Sequence, residues 1–254
     1  MYKKINDSKE EKAFDEILRY SSFKGTDIID VTGSERMGYL YLKRWVEEGR
    51  VIRYPFNLYS PVNPATAKPK MNLHEAVCQL EENAYLCELS AARFHGLIVP
   101  EDNCIYLASN KRFREVVYEG WTIKYKRYSE QEACAVSGLA RYSSYTQTIM
   151  DLINAFPKCM TWEAFLVFLR NTGPLACHRV LTILKGVDNR NLNKKVGWLV
   201  DVGLLKVDDP SALMAYCIRH ISKTKLVLCH CTEESGVYNE KWKLISPLLT
   251  NTNI

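Results

Sequence analysis

The sequence predicts an α+β protein, with an N-terminal winged helix-turn-helix followed by a mixed α/β C-terminal domain of several helices and a small sheet. Three observations carry this. Residues 26–60, TDIIDVTGSERMGYLYLKRWVEEGRVIRYPFNLYS, read as a short helix, a turn, a longer helix and two strands with a tight return. Beyond residue 73, alternating strand-like runs come first and a long series of helical periods follows, which suits an α+β domain better than a doubly wound sheet. Between them, PVNPATAKPKMN is rich in Pro, Ala and Lys and has no periodicity. The expected division is therefore a winged domain over 1–62, a linker over 63–72 and a C-terminal domain over 73–254.

Residues 8–22, SKEEKAFDEILRYSS, form an amphipathic helix with Ala13, Phe14, Ile17 and Leu18 turned inward. The next helix is expected over Thr26–Val31, with Thr26 as N-cap and Ile28 and Ile29 facing the core. Thr32-Gly33 breaks it and Ser34 caps the following helix. Met37 stands where a capping box would need Glu or Gln, so no box is completed. That helix runs to about Glu48 and ends at Gly49. Val51–Tyr54 and Leu58–Pro61 then make the two strands of a wing.

On the second helix of this motif, Gly38, Tyr41, Leu42 and Trp45 fall on one side and pack inward. Arg36, Leu40 and Lys43 collect opposite, with Tyr39 and Arg44 at the margins. A basic outer face in this position suits a recognition helix in the major groove. An Arg pairs bidentately with guanine, and an exposed Leu touches a thymine methyl. Lys43 and Arg44 are better placed for phosphates, which position without reading sequence. Arg53, in the hairpin, is expected near the neighbouring backbone or minor groove. The residues expected at DNA are Ser34, Arg36, Tyr39, Leu40, Lys43, Arg44 and Arg53. The competing reading is a solvated basic face diluted by Glu35, Glu47 and Glu48, since winged helices also dock on proteins.

In the C-terminal part, LHEAVCQLEENA and ELSAARFHGL read as two helices. CIYLA from Cys104 and WTIKYKRY from Trp121 alternate as strands, and SNKRFREVVYEG between them carries a basic patch, Lys111, Arg112 and Arg114, on a loop or hairpin tip. Ala133–Val136 and Leu139–Tyr142 suggest strands turned at Ser137-Gly138. Helices follow in YTQTIMDLINAF, TWEAFLVFLRN, PLACHRVLTILKGV, NLNKKVGWLVDVG and SALMAYCIRHIS. KLVLCHC and KWKLISPLL close as strands.

Composition bounds the function. The net charge of +5 on 254 residues is mild, so a nucleic-acid site has to be a local patch. No apolar run reaches transmembrane length and the N-terminus has no signal core, so a cytoplasmic protein with no membrane contact is expected. The nine cysteines are scattered and form no Cys-x-x-Cys pair. In a strand, Cys229 and Cys231 of Cys-His-Cys point away from His230, so a shared metal is disfavoured. His95 is placed for capping or packing, and Ser137-Gly138 lacks a nucleophile-elbow frame. Asp208, Asp209, Glu233, Glu234, Glu240 and Lys241 fit no nuclease spacing. No catalytic group, cofactor or metal is expected.

The order of segments resembles the AbiEi-type antitoxins, transcriptional regulators encoded beside nucleotidyltransferase-like toxins. The likeness runs through EEGRVIRYPFNLYSPV, then AYLCELSAARFHGL, then RYSSYTQTIMDLIN with Thr148 and Asp151 in place, then NKKVGWLVDVGLL and KWKLISPL, covering about residues 10–249. It implies an autorepressor that binds inverted repeats in double-stranded promoter DNA through the winged helix, while the C-terminal domain supports antitoxicity. It implies a functional link to the cognate toxin without a stable complex, and a monomer or weak dimer paired on DNA. The alternative is an antitoxin that neutralises the toxin by direct docking, without sequence-specific DNA binding.

Overall fold

The structure, a computed structural model, describes residues 2–97, 99, 101–127, 134–229 and 236–248, with side chains from residue 8 onward. It is mixed α and β, as expected. Contacts divide the chain into two compact units. One comprises Met1–Leu86, Leu107–Glu130 and Val136–Arg141, and the other Cys87–Tyr106, Gln131–Ala135 and Tyr142–Ile254.

The first unit opens with α1 (Tyr2–Ile17), β1 (Phe23–Lys24), α2 (Asp27–Thr32), α3 (Glu35–Glu47), β2 (Val51–Tyr54) and β3 (Leu58–Asn63). Helix, strand, helix, helix and hairpin in this order make a winged helix, with sheet order β1-β3-β2. β1 was not expected from the sequence. Its two residues form a strand because Phe23 pairs with Tyr59, ring stacked on ring at 5.6 Å. The core is Ala13, Phe14 and Ile17 of α1, Ile28 of α2, and Tyr41, Leu42 and Trp45 of α3, with Phe23, Val51 and Tyr59 from the strands. Leu18 is only partly buried, because α1 stops at Ile17 rather than continuing to residue 22.

Two caps set the angle between α2 and α3. Thr26 makes no side-chain cap, contrary to expectation; its backbone is already helical, and the Asp27 carboxylate accepts from the Lys24 N–H instead. Ser34 does cap α3, accepting from the Met37 N–H. Gly33, at φ 66°, closes α2 in the left-handed conformation that costs a side chain most. Gly38 lets α3 approach α2, since a Cβ there would sit 3.1 Å from Ile28 Cγ2.

The stretch expected as a linker is built into this unit. Residues 64–67 turn, and β4 (Lys68–Pro69) returns to pair with β3. α4 (Leu73–Val77) starts with a full capping box, Asn72 and Glu75. It is five residues long, not the helix expected through residue 84. The carbonyls of Cys78, Glu81 and Ala84 instead accept hydrogen bonds from the Arg141 guanidinium, which fastens this turn. β5 (Tyr85–Leu86), β6 (Cys104–Ser109), β7 (Val116–Tyr118), β8 (Trp121–Arg127), β9 (Ala135–Ser137) and β10 (Ala140–Tyr142) form a sheet of order β7-β8-β6-β5-β10-β9.

The second unit is mainly helical: α5 (Glu88–Phe94), α6 (Tyr145–Ala155), α7 (Trp162–Arg170), α8 (Cys177–Val187), α9 (Arg190–Asp201) and α10 (Pro210–Arg219). Its core gathers Ile149, Ile153, Phe156, Phe165, Phe168, Val180, Leu184, Val196, Leu199 and Leu213. β11 (Leu226–Val227) runs parallel to β13 (Leu244–Ser246), and β12 (Val237–Asn239), absent from the sequence reading, pairs antiparallel with β13. Trp242 lies fully buried across the backbone of α9 at Gly197, its indole N–H donating to Asp201 at 2.8 Å.

Candidate nucleic-acid interface

The inward face of α3 is the one its periodicity specifies: Gly38, Tyr41, Leu42 and Trp45 are its buried residues. Burial of that stripe fixes the rotation of the helix and so decides what faces out. Arg36, Tyr39, Leu40 and Lys43 are all exposed, Tyr39 at 41% and Leu40 at 47%. Lys43 lies 3.8 Å from Glu47 on the same helix, a contact between two well-exposed side chains that constrains neither much. Ser34 is half-buried and occupied by its capping bond, so it sets the start of the helix rather than presenting a free hydroxyl.

Arg44 departs from its expected role. Its guanidinium pairs with the carboxylate of Glu10 on α1, a side chain only 6% exposed. A charge that deep requires a partner, and Arg44 is it. The residue therefore ties α3 to α1, with its half-exposed guanidinium already paired to a carboxylate. A second clamp lies beside it. Arg50 makes two 2.9 Å hydrogen bonds to Glu11 and lies 3.6 Å from the centre of the Phe14 ring. This pairing, led by the hydrogen bonds from Arg50, lowers the Glu11 carboxyl below its ordinary range.

In the wing, Arg53 on β2 is exposed and pairs across the ladder with Tyr59 on β3. Between α3 and the wing lies an open hollow of about 280 Å³, with Tyr39, Lys43 and Glu47 on the helix side and Arg53 and Tyr59 on the strand side. It brings Lys43 and Arg53, two of the expected cations, onto one surface. The other side of the wing is covered. Tyr54 and Leu58 are buried with Met71 and Ala76, and Phe56, Leu73 and Tyr118 pack onto them. The turn Pro55–Asn57 is held at Phe56 by Phe113, ring centres 5.1 Å apart. The Tyr118 hydroxyl donates to the Arg53 carbonyl at 2.9 Å. The wing tip is thus packed, a feature the sequence reading missed because both partners lie more than fifty residues away.

The other candidate groupings have structural explanations. His95 ends α5, its Nε2 2.7 Å from the Ser143 carbonyl and its ring edge-on to Tyr142 and Tyr145. Asp208 accepts from the Cys177 N–H at 2.7 Å, and Asp209 caps α10. Lys241 pairs with Asp201, and Glu240 with Lys243. His230, Cys231, Glu233 and Glu234 lie outside the described residues. Among the described residues no cluster of His, Cys, Asp and Glu is arranged to hold a metal ion, and no helix is long and apolar enough to cross a membrane.

No protein-family model and no curated protein matches the chain. Among solved structures, the crystal structure of the RV2827C protein from Mycobacterium tuberculosis superposes with a TM-score of 0.67. It covers 95% of this chain and 92% of that one at 11% identity, a likeness of fold.

Proposed function

We propose that the chain is a DNA-binding autorepressor and the antitoxin of an AbiE-like operon, acting without catalysis against a nucleotidyltransferase-like toxin. The observation that carries this is the outward face of α3, where Arg36, Tyr39, Leu40 and Lys43 stand exposed on a helix whose rotation is locked by its buried side. Arg36 is the group for a guanine edge and Leu40 for a thymine methyl, while Lys43 and Arg53 supply phosphate contacts. Two protomers on an inverted repeat place their recognition helices about 34–36 Å apart. The C-terminal part, residues 73–254, supports antitoxicity.

A gel-shift titration on the DNA upstream of the chain's own gene, against scrambled DNA, tests the reading. Arg36→Ala should lower preference for the cognate repeat by roughly 1–3 kcal/mol. Lys43→Ala should weaken both DNAs alike and flatten the salt dependence by about one ion. Equal losses on both DNAs for both variants would sink the assignment of roles. The exposed Tyr39 and Leu40 favour one second reading, direct docking on the toxin. A stable toxin complex from a chain that does not prefer its own promoter would establish it.

A further inference from the structure

We infer that the loop 110–115 is a second DNA-contacting element, binding duplex phosphates where the packed wing tip does not. The inference rests on the DNA-binding reading above. Within this loop Lys111, Arg112 and Arg114 are all exposed, and among the described residues none of them is ion-paired. Three cations in four positions repel one another, and an ordinary solvated loop relieves this by moving apart.

This loop is fixed instead. At its start the Glu81 carboxylate accepts from the backbone N–H groups of Asn110 and Lys111, the latter at 3.1 Å. Ser109 Oγ donates to the Lys111 carbonyl at 3.0 Å. At its centre Phe113 is half-buried, edge-on to Phe56 at 5.1 Å and to Tyr125 at 5.5 Å. Phe113 therefore points into the protein while Arg112 and Arg114 flank it on the exposed backbone. An ordered row of cations presented to solvent is prepaid for a polyanion, because little conformational freedom is lost on binding.

The anchor also decides which polyanion. Phe56 is in the wing turn, directly after the strand that carries Arg53, and Arg53 shares the hollow with Lys43 of α3. The loop, the wing and α3 are thus joined through two contacts, Phe113 on Phe56 and the hollow that Arg53 shares with Lys43. Duplex DNA is the polyanion proposed for α3 of this same unit, and its dense, regular phosphate charge suits a fixed group of cations joined to that helix. The wing turn, with Phe56 half-buried against Phe113, carries no cation of its own, and the loop packed on it supplies three.

The test is the salt dependence of binding to the chain's own upstream DNA. It compares the wild type, a variant carrying Lys111→Gln, Arg112→Gln and Arg114→Gln together, and Phe113→Ala, with thermal unfolding as the check that each is folded. The triple variant should lose about two to three units from the slope of log K against log salt, since each phosphate contact contributes about 0.9. It should bind at least tenfold more weakly near 100 mM salt, with the ratio of cognate to scrambled affinity unchanged. Phe113→Ala keeps the charges and should weaken binding several-fold while retaining most of the slope. A wild-type slope and affinity in the triple variant overturns the loop's role and leaves the repressor reading standing. Loss of the cognate ratio alone overturns the phosphate role. A wild type that binds no DNA overturns the repressor reading and the loop's role with it. Equal weakening on an unrelated single-stranded RNA, with the duplex unaffected, overturns the choice of duplex.

Discussion

Arg44 separates two readings of α3, and replacing it with Ala distinguishes them. Were it a phosphate contact, Arg44→Ala would cost binding and leave stability alone. In the structure its guanidinium pairs with Glu10, whose side chain is 6% exposed, while Arg44 itself is 45% exposed. An exposed ion pair contributes about 0.2–1 kcal/mol, whereas stranding a buried carboxylate costs roughly 3–5 kcal/mol. Water can reach the position vacated by a half-exposed Arg, so a value between these limits is appropriate, about 2 kcal/mol. For a chain of this size that is a fall in melting temperature of roughly 4–8 °C. Glu10→Gln in the Arg44→Ala background should recover about half of the loss, because a neutral amide is cheaper to leave buried. DNA affinity of the folded Arg44→Ala protein, and its salt slope, should match the wild type. Thermal unfolding and gel shifts on the same preparations measure both. Unchanged stability together with a slope reduced by about one unit would refute the reasoning and return Arg44 to the phosphates.

Two predictions concern the helical unit. Gly197→Ala places a Cβ 2.1 Å from Trp242 Cζ3 and 2.4 Å from Cη2, against a rigid, fully buried indole that cannot yield as a flexible chain would. It should destabilise by about 2–3 kcal/mol and red-shift tryptophan emission, whereas Gly186→Ala in α8, with nothing within 4 Å, should be neutral or stabilising by up to about 1 kcal/mol. Denaturant unfolding that ranks the two alike would count against this packing. Lys195 donates to the carbonyls of Ile153 (3.2 Å), Asn154 (3.0 Å) and Phe156, the first of which lacks a helical donor because residue 157 is proline. Lys195→Met should therefore cost about 2–3 kcal/mol at pH 7. Burial lowers the Lys195 ammonium to about 8. Between about pH 8 and the unfolded value near 10.4 the unfolded chain holds more protons, so wild-type stability gains from this residue as pH rises. Below pH 8 it gives no slope. The gap to Lys195→Met should widen across that window, and parallel stability curves from pH 7 to 10 would show that the ammonium is not desolvated.

Local periodicity made the buried stripe of α3 legible, because four residues at helical spacing need no knowledge of what covers them. The same wheel could place Arg44 only at the margin of the outer face, since its direction depends on Glu10, thirty-four positions earlier. β1 escaped notice for a similar reason: Phe23 and Lys24 have no alternation of their own and are a strand only by pairing with β3. The helix expected through residue 84 ended at Val77, and the turn that follows is held by Arg141, far along the chain, which donates to the Cys78 and Glu81 carbonyls. PVNPATAKPKMN resembled a linker in composition, yet Val62 and Asn63 pair with Pro69 and Lys68. In each case the missing information was a long-range partner. The candidate site follows the same rule, with the cations of α3 readable locally and the support of the loop carrying Lys111 invisible without Phe56.

The wing turn shows how far such a partner can override local preference. Phe56 and Asn57 sit at φ 64° and 59°. Asn accepts that conformation readily, but Phe does not, and a turn shaped by propensity alone would carry Gly there. The conformation costs about 1–2 kcal/mol at Phe56, which burial of its ring against Phe113 offsets. A hairpin that spends its turn on an aromatic anchor is shaped as a strut. It fixes the basic loop to the strand carrying Arg53, and the hollow joins that strand to Lys43. On the DNA-binding reading proposed above, sequence discrimination would fall to α3, where Arg36 and Leu40 are exposed, and strength of binding to the cations of the wing and its loop. The two properties should vary independently: substitutions on α3 should change which DNA is preferred, and substitutions at Lys111, Arg112 and Arg114 should change how tightly any DNA is held.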